Sequence, residues 1–456
     1  MILSAKRAAA VGAVVGAALA GSPAGARAAA LTMDQAVAIA LQRNRDVIAA
    51  KLEIEGAQLD VVAARIYPNP QLQYSLGNLV LGPANGQGLT PPVTSAFLGQ
   101  PVQSIGVAEL IDVWSKRGAR TQAAEEGVQH RRLLTEDALR EIVYAVRSAF
   151  DDVVREQSER ELAHEVADRY AETVRLSQAR YRAGDISEAD LRTIEIEGLR
   201  YQNDVVDADM ELDVARQKLA ALLVLPSPAA LGTEKLQVSD TRPTFDLAQL
   251  TAEAFERRPD LRAAGAARVV AEAQLGAAER EIYPDITLGA AYTHSDFQVS
   301  GDNPNSLALS LSLPLPLFDR NQANVGRARL DIRRAENERE RLRIEVVRQV
   351  AEAVRKATRA QILLGLFEGS PAGAAAAAAP APVPALAATG TKDTGGMLSR
   401  AETALRVAEK SYKAGAVSLL ELLEAQRTYL DTRARYLRAL HDFRQAVVDV
   451  THAVGE

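Results

Sequence analysis

Carboxylates are abundant in this chain of 456 residues, but the residues that usually accompany them in catalytic or metal sites are absent or scattered. The chain has no cysteine, which excludes disulfides, thiolate metal ligands and cysteine nucleophiles. No phosphate-binding loop, zinc-protease helix motif or nucleophile elbow occurs in it. The five histidines form no i,i+4 pair: they are His130, His164, His294, His441 and His452. The sequence therefore predicts a protein that is not an enzyme and has no cofactor and no metal-binding residues.

Two of the carboxylates, Glu421 and Glu424, stand three residues apart, so on a helix they share one face. Two glutamates at this spacing usually form the solvated face of a coiled coil. From the residues alone, a solvated helix face is therefore the favoured interpretation of this pair.

The N-terminus has the pattern of an export signal. Two basic residues precede an apolar stretch at 8–20, and Ala-Arg-Ala at 26–28 is a cleavage site of the A-x-A type, with 28–30 as a rival. We therefore expect residues 1–30 to be a signal peptide. A short anchor helix is the alternative, but about 13 apolar residues are too few to span a bilayer. The net charge of −6, without clustered basic and aromatic residues, argues against nucleic acid as a partner.

Short motifs recur between the two halves of the chain. Ile-Tyr-Pro ends at Pro68 and again at Pro284, and Tyr-x-Ala-Gly ends at Gly184 and again at Gly415. Each half reads helix, strand, loop, strand, long helix, turn, long helix, which indicates a duplicated domain-sized unit. The predicted organisation is a first repeat, a linker and a second repeat, at 31–228, 229–244 and 245–456. An Ala/Pro-rich insertion at 370–396 interrupts the second repeat.

Helical patterns dominate both halves. A helix is predicted at 33–66, capped by Thr32 with Gln35 in a near capping box. A second runs from about 115 to 182, roughly 100 Å at 1.5 Å per residue, and a third returns from about 187 to 225. The return helix has apolar residues at alternating spacings of three and four, the pattern of a coiled-coil seam: Leu191, Ile194, Gly198, Tyr201, Val205, Ala208, Leu212, Ala215, Leu219 and Leu222.

The same alternating spacing recurs 231 positions later, from Leu422 to Ala453. A neighbouring apolar stripe runs from Leu423 to Val447. Two adjacent seams would let one helix pack against neighbours on both sides, as a ring of helices requires. An ordinary antiparallel coiled coil would produce similar stripes, so the stripes alone do not separate these arrangements.

Four segments alternate apolar and polar residues with the period of a β-strand. Their apolar positions are Leu72, Tyr74 and Leu76; Ile105, Val107 and Ile111; Ile286, Leu288, Ala290 and Tyr292; and Leu307, Leu309, Leu311 and Leu313. A half-buried soluble sheet gives this pattern, and so does a membrane barrel. The long helices on either side and the aromatic residues near the strand ends favour the barrel; the latter are Phe97, Trp114, Phe297 and Phe318. Four strands cannot close a barrel, whereas three copies would supply twelve.

Three motifs resemble those of the TolC family of outer-membrane efflux channels, and most of all its cobalt–zinc–cadmium resistance type. They are Leu-Pro-Leu-Pro-Leu-Phe-Asp-Arg-Asn-Gln at 313–322, Arg-Ala-Gly-Asp-Ile-Ser at 182–187 and Lys-Ala-Gly-Ala-Val-Ser-Leu-Leu-Glu at 413–421. The resemblance implies a mostly α-helical homotrimer with a 12-stranded barrel in the outer membrane and a helical tunnel in the periplasm. It also implies a partnership with a periplasmic adaptor and an inner-membrane RND pump that exports divalent heavy-metal cations such as cobalt, zinc or cadmium.

The resemblance also implies roles for residues at the two helical turns. The turns would be the tips that contact the adaptor: Ala183, Gly184, Asp185 and Ser187 in the first, and Ala414, Gly415, Val417 and Ser418 in the second. Glu421 and Glu424, six and nine positions after Gly415, would form the periplasmic gate. The first half has Asp190 and Thr193 at the equivalent positions, so only one hairpin matches the gating pattern.

Other classes of protein would share parts of this sequence pattern. The same kind of channel could serve a multidrug pump or a type I secretion system, because pump and adaptor choose the cargo. A periplasmic adaptor would also be exported and helical, but with one hairpin flanked by small β domains. An enzyme with a coiled-coil insertion would need a catalytic constellation, which the sequence does not show.

Overall fold

A computed structural model describes residues 31–77, 102–226, 243–295, 303–369, 395–414 and 416–456. The predicted signal peptide, the loop between the first two strands and nearly all of the Ala/Pro-rich insertion lie outside these residues. The helices are α1 Met33–Arg43, α2 Arg45–Arg65, α3 Lys116–Ala183, α4 Glu188–Leu223, α5 Leu247–Arg257, α6 Pro259–Arg280, α7 Gln322–Glu368, α8 Met397–Lys413 and α9 Leu419–Val454. The strands are β1 Gln71–Gly77, β2 Val102–Ile111, β3 Ile286–Ser295 and β4 Asn305–Ser312.

The first helix is not continuous, and the prediction of one helix at 33–66 was wrong at a single residue. Asn44 adopts an extended backbone conformation between α1 and α2. Its side-chain oxygen accepts a hydrogen bond from the amide of Asp46 at 2.8 Å and so caps α2, while its amide group donates to the carbonyl of Leu222 at 3.0 Å. The cap at the start of α1 is as predicted, with Thr32 and Gln35 bonded reciprocally.

The long helices follow the sequence closely. Helix α3 contains 68 residues and α4 contains 36, near the predicted bounds. Helix α4 ends at Val224, whose backbone is left-handed with φ of 53°. Among the described residues, no helix combines the length and the hydropathy that crossing a membrane would require.

The chain forms two compact units, each assembled from segments of both halves of the sequence. The first, the helical unit, comprises the described residues within Met1–Ile48, Leu139–Glu256 and Arg348–Glu456. The second, the sheet unit, comprises the described residues within Ala49–Ala138 and Arg257–Val347. The predicted repeat boundary near 229–244 stays a prediction, because compactness in space does not report duplication in sequence.

The core of the helical unit is built from the predicted seams. On α4, Leu191, Ile194, Ala208, Leu212 and Leu219 are buried, and the seam of α9 is buried from Leu422 to Ala453 at most of its positions. The most enclosed cluster packs α1, α3 and α4 together around Phe150, which is 1% exposed. Burying one large apolar side chain contributes about 1.5–3 kcal/mol, so these seams account for the pairing of the helices.

The sheet unit contains one antiparallel sheet with the strand order β1-β2-β3-β4. The sequence had indicated two separate hairpins; pairing of β2 with β3, with Ile105 opposite Tyr292, joins them. At one end of the sheet, the buried Lys116 contacts Asp285 at 2.8 Å and Glu281 at 3.3 Å. These ion pairs hold the start of α3 against the segment that leads into β3.

The two faces of the sheet differ in chemistry. In register across the strands, Tyr74, Ile105, Tyr292 and Leu307 form one apolar row, and Leu72, Val107, Ala290 and Leu309 form the next. The opposite face carries small or polar residues such as Ser104, Gly106 and Ser310. Leu307, Leu309 and Leu311 are 71%, 80% and 67% exposed, so no described element covers the apolar face at β4.

Candidate functional site

The first helical turn is fixed by the end of α3 and the start of α4. Gly184 has φ of +85°, a conformation that glycine adopts without strain. Its amide donates a hydrogen bond to the carbonyl of Tyr181 at 3.0 Å, and the amide of Asp185 donates one to the carbonyl of Arg180 at 2.9 Å. This pair of bonds is the Schellman motif, which terminates a helix and reverses the chain. The tip residues of this turn are exposed: Ala183, Gly184, Asp185 and Ser187.

The second turn repeats part of this geometry. The amide of Ala416 bonds the carbonyl of Ser411 at 2.8 Å, the same i to i−5 bond that Asp185 makes in the first turn. Ala414 and Ser418 are exposed and Val417 is half-buried, whereas Gly415 lies outside the described residues. The described tip residues are therefore accessible to a partner at both turns.

Glu421 and Glu424 lie in the first two turns of α9. The amide of Glu421 donates to the hydroxyl oxygen of Ser418 at 3.3 Å, which makes Ser418 the N-cap. Both glutamates are exposed, and neither carboxylate has a hydrogen bond or ion pair within the part of the chain that the structure describes. Their negative charges are thus presented side by side at the beginning of a helix.

The equivalent position in the first hairpin is used differently. Asp190 forms a full capping box with Ser187, whose hydroxyl donates to the carboxylate at 2.7 Å and accepts from the Asp190 amide at 3.1 Å. Thr193 donates its hydroxyl to the carbonyl of Ala189 at 2.9 Å. The carboxylate of Asp190 therefore closes a helix end, whereas those of Glu421 and Glu424 remain available for solvent or a ligand.

A contact between the two hairpins lies close to these turns. The guanidinium of Arg180, in the last turn of α3, is 4.9 Å from the ring centroid of Tyr412, near the end of α8, and also bonds its hydroxyl. Further along the helices, Arg433 of α9 contacts Glu165 of α3 at 2.7 Å. No pattern in the sequence indicates these pairs, since they join residues 232 and 268 positions apart.

The histidines do not converge. His452 stacks on Tyr144 with centroids 4.2 Å apart and contacts Glu141 at 3.0 Å. His441 lies 3.6 Å from Asp152 and His164 lies 3.7 Å from Asp209. His294 bonds Asn305 within the sheet at 2.8 Å, and burial lowers the pKa of His130. Each imidazole therefore has its own surroundings.

One buried ion pair in the helical unit was not foreseen. Asp151 of α3 is 1% exposed, and one of its oxygens accepts two hydrogen bonds from Arg444 of α9, at 2.6 and 3.1 Å. Burial raises the pKa of Asp151, and the guanidinium opposes that shift. No pattern in the sequence indicates this pair, since it joins residues 293 positions apart.

Comparison with known proteins gives one family. The family model described as outer membrane efflux protein matches residues 36–224, 250–379 and 394–456. The chain is 26% identical over 426 residues to the cobalt-zinc-cadmium resistance protein CzcC of Cupriavidus metallidurans. The matched region covers 93% of this chain and 90% of that protein. It is 25% identical over 249 residues to nodulation protein T of Rhizobium leguminosarum bv. viciae, covering 54% of this chain and 46% of that protein.

Solved structures share the fold. A structure of CusC, described in terms of transmembrane channel formation, has a TM-score of 0.70 and 18% identity, with 96% of each chain covered. The outer membrane protein VceC of Vibrio cholerae has a TM-score of 0.68 and 19% identity, covering 93% of this chain and 96% of that one. At these identities, the likeness shows that the folds agree.

Proposed function

The chain belongs to the outer membrane efflux protein family, and from this we propose that it is the channel subunit of a tripartite pump that exports divalent heavy-metal cations such as cobalt, zinc or cadmium. The observation that carries the choice of cargo is the similarity to CzcC, which extends over 93% of the chain. A conduit needs no tight ligand site, because tight binding would slow release.

The sheet supports assembly into a barrel in the outer membrane. Its apolar face is exposed at β4, and β1 and β4 are edge strands whose outer backbone groups would be unsatisfied in lipid. A homotrimer in which β4 of one copy pairs with β1 of the next would close twelve strands, an even number within the usual range. The apolar face would then contact lipid, and the small and polar face would line the water-filled lumen.

A second apolar stripe on α4 supports the same assembly. Ile196, Leu199, Val206, Met210 and Val214 are each 59–64% exposed, and they lie on the side of the helix away from the buried seam. Exposed apolar residues at spacings near three and four fit a neighbouring helix. In the proposed trimer, this stripe packs against another copy and extends the helices into a ring in the periplasm.

The tips and the gate complete the proposal. The turns at 183–187 and 414–418, whose described residues are mostly exposed, would contact the adaptor, which joins the channel to an inner-membrane RND pump. In the trimer, three copies of Glu421 and Glu424 would form two acidic rings that select cations and bias the pore towards closure. The proposal keeps the domain organisation predicted from the sequence: a signal peptide at 1–30, a first repeat at 31–228, a linker at 229–244 and a second repeat at 245–456 with an Ala/Pro-rich insertion at 370–396.

The cargo is tested in cells. Deleting the gene should raise cellular cobalt, zinc or cadmium on metal challenge, as measured by mass spectrometry, and the intact gene in trans should restore export. Tolerance to a panel of lipophilic drugs should stay unchanged. Sensitivity to drugs with unchanged metal content would contradict the metal assignment and move the channel to a multidrug pump.

A further inference from the structure

Three carboxylates converge inside the helical unit, far along the chain from the turns. Glu156 and Glu159 project from α3, Glu211 projects from α4, and each offers one oxygen such that these oxygens lie within 4.8 Å of one another. Like charges at such separations repel, so the arrangement opposes the pairing of α3 with α4 unless the charge is neutralised.

The burial of Glu156 makes this cluster different from an exposed acidic patch. Glu156 is 5% exposed; one oxygen pairs with Arg155, and the other, Oε2, is buried with no hydrogen-bond partner among the described residues. Oε1 of Glu159 is also buried without a hydrogen bond in that part of the chain. Buried carboxylate oxygens without donors are costly, and Glu156 and Glu159 each place one carboxylate oxygen within 4.8 Å of an oxygen of Glu211.

The neighbouring guanidinium groups donate no hydrogen bond to these two carboxylate oxygens. Oε1 of Glu159 is 3.6 Å from Arg155 and 3.8 Å from Arg438, beyond hydrogen-bond distance. Burial raises the pKa of Glu156; Arg155 opposes the shift, and Glu159, Glu211 and Asp152 reinforce it. The local charge therefore stays negative when all the carboxylates are ionised.

Access from solvent is open. Glu159 and Glu211 line a groove of about 510 Å³ formed by α3, α4 and α9. Six carboxylates and three guanidinium groups line that groove, so its field draws cations in. The carboxylates are Glu159, Glu197, Asp204, Asp207, Glu211 and Asp431.

We propose that Glu156, Glu159 and Glu211 bind a hard divalent cation of the size of Ca²⁺, which ties α3 to α4. Oxygen-only ligand sets suit Ca²⁺, Mg²⁺ or Mn²⁺ better than softer metals. Two ligands of one Ca²⁺ can stand up to about 5 Å apart, twice its metal–oxygen distance, whereas Mg²⁺ requires shorter separations and keeps more of its waters. The site is structural and distinct from the exported metal, so it does not depend on the proposed cargo.

The test is calcium titration of the purified full-length protein in detergent after treatment with a chelator. Isothermal calorimetry should show saturable binding of about one ion per chain, and the thermal midpoint should rise with calcium. Glu211→Gln removes an exposed ligand without disturbing the core, and it should weaken binding by roughly tenfold or more, because affinity follows the ligand charge. Asp213→Asn is the matched control, since Asp213 lies on the same helix and contacts Arg216 instead.

Glu156→Gln provides a second readout. The neutral amide removes the buried charge, so the cation-free protein should keep or raise its thermal midpoint while losing the calcium response. If this variant does not fold, the comparison of Glu211→Gln with Asp213→Asn still decides whether calcium binds at the proposed site. The proposal is overturned if wild-type protein shows no saturable calcium binding, or if Glu211→Gln and Asp213→Asn bind calcium alike.

Discussion

The guanidinium of Arg180 lies over the ring of Tyr412, 4.9 Å from its centroid, and ties the last turn of α3 to the end of α8. Both residues lie within a few positions of the turns at Gly184 and Gly415. Because one belongs to each hairpin, the contact connects the two tips of a single chain. A movement that separates the two tips would break this contact.

Removing the ring should therefore loosen the tips. A partly exposed cation–π contact contributes about 0.5–1 kcal/mol, so Tyr412→Ala should speed local opening roughly two- to fivefold. Hydrogen exchange of the amides at 180–185 measures this. Arg175→Gln is the control, because Arg175 pairs with Glu172 on the same helix and is exposed. Equal exchange in the two variants would show that the Tyr412 contact does not hold the tips.

The acidic pair on α9 gives a prediction about selectivity. Replacing Glu421 and Glu424 together by glutamine removes six carboxylates from the proposed trimer while keeping side-chain size. Cation preference in planar bilayers should fall, since the fixed charge at the constriction is lost. Asp442→Asn removes an exposed carboxylate from the same helix and should leave selectivity unchanged. Unaltered selectivity in the double variant would remove the gate assignment.

Two glycines of α3 and its turn should respond oppositely to alanine. Gly184→Ala places a Cβ at φ of +85° and should destabilise the turn by about 1 kcal/mol. Gly127→Ala adds a methyl group in open space within the helix and should stabilise it by about 0.5–1 kcal/mol. Thermal midpoints and limited proteolysis at the tip would report both. Destabilisation by both substitutions would contradict the backbone argument.

The predictable part of the fold is the part set by local periodicity. The seams on α4 and α9, the strand alternation and the cap at Thr32 all follow from spacing within one segment. The break at Asn44 did not, because it depends on a bond from its side chain to Leu222, 178 residues away. The pairing of β2 with β3 could not be predicted for the same reason, since it joins strands about 180 residues apart in the chain.

The features of the candidate site also divide into local ones, which the sequence predicts, and long-range ones, which it does not. The turns and the shared face of Glu421 and Glu424 could be predicted from the sequence, since both are local. The contact of Arg180 with Tyr412, and the meeting of Glu156 with Glu211, could not, because each depends on which faces of two distant helices pack together. The barrel, the trimer and the acidic rings remain predictions about several copies of the chain.

The buried pair of Asp151 and Arg444 predicts a dependence on pH. Arg444→Met leaves the Asp151 carboxylate buried without its partner, which should cost about 3–5 kcal/mol at neutral pH. Burial already raises the pKa of Asp151, and losing the guanidinium raises it further. A carboxyl whose folded pKa exceeds its unfolded value destabilises the fold as pH rises above the unfolded value, so acid should reduce the penalty.

Thermal midpoints of the variant and the wild type at pH 5 and pH 8 would measure this dependence. The difference between the two proteins should be smaller at pH 5. The double variant Asp151→Asn with Arg444→Met is the control, because it removes the buried charge and should show a smaller loss at pH 8. A difference that is the same at both pH values would contradict the role assigned to the charge.

The most direct test of the channel is the conductance of the purified protein in a planar bilayer, with its mass in detergent determined on the same sample. We expect a trimer that inserts in discrete conductance steps with a preference for cations. A monomer in detergent that produces no steps would contradict both the twelve-stranded barrel and the efflux channel built on it.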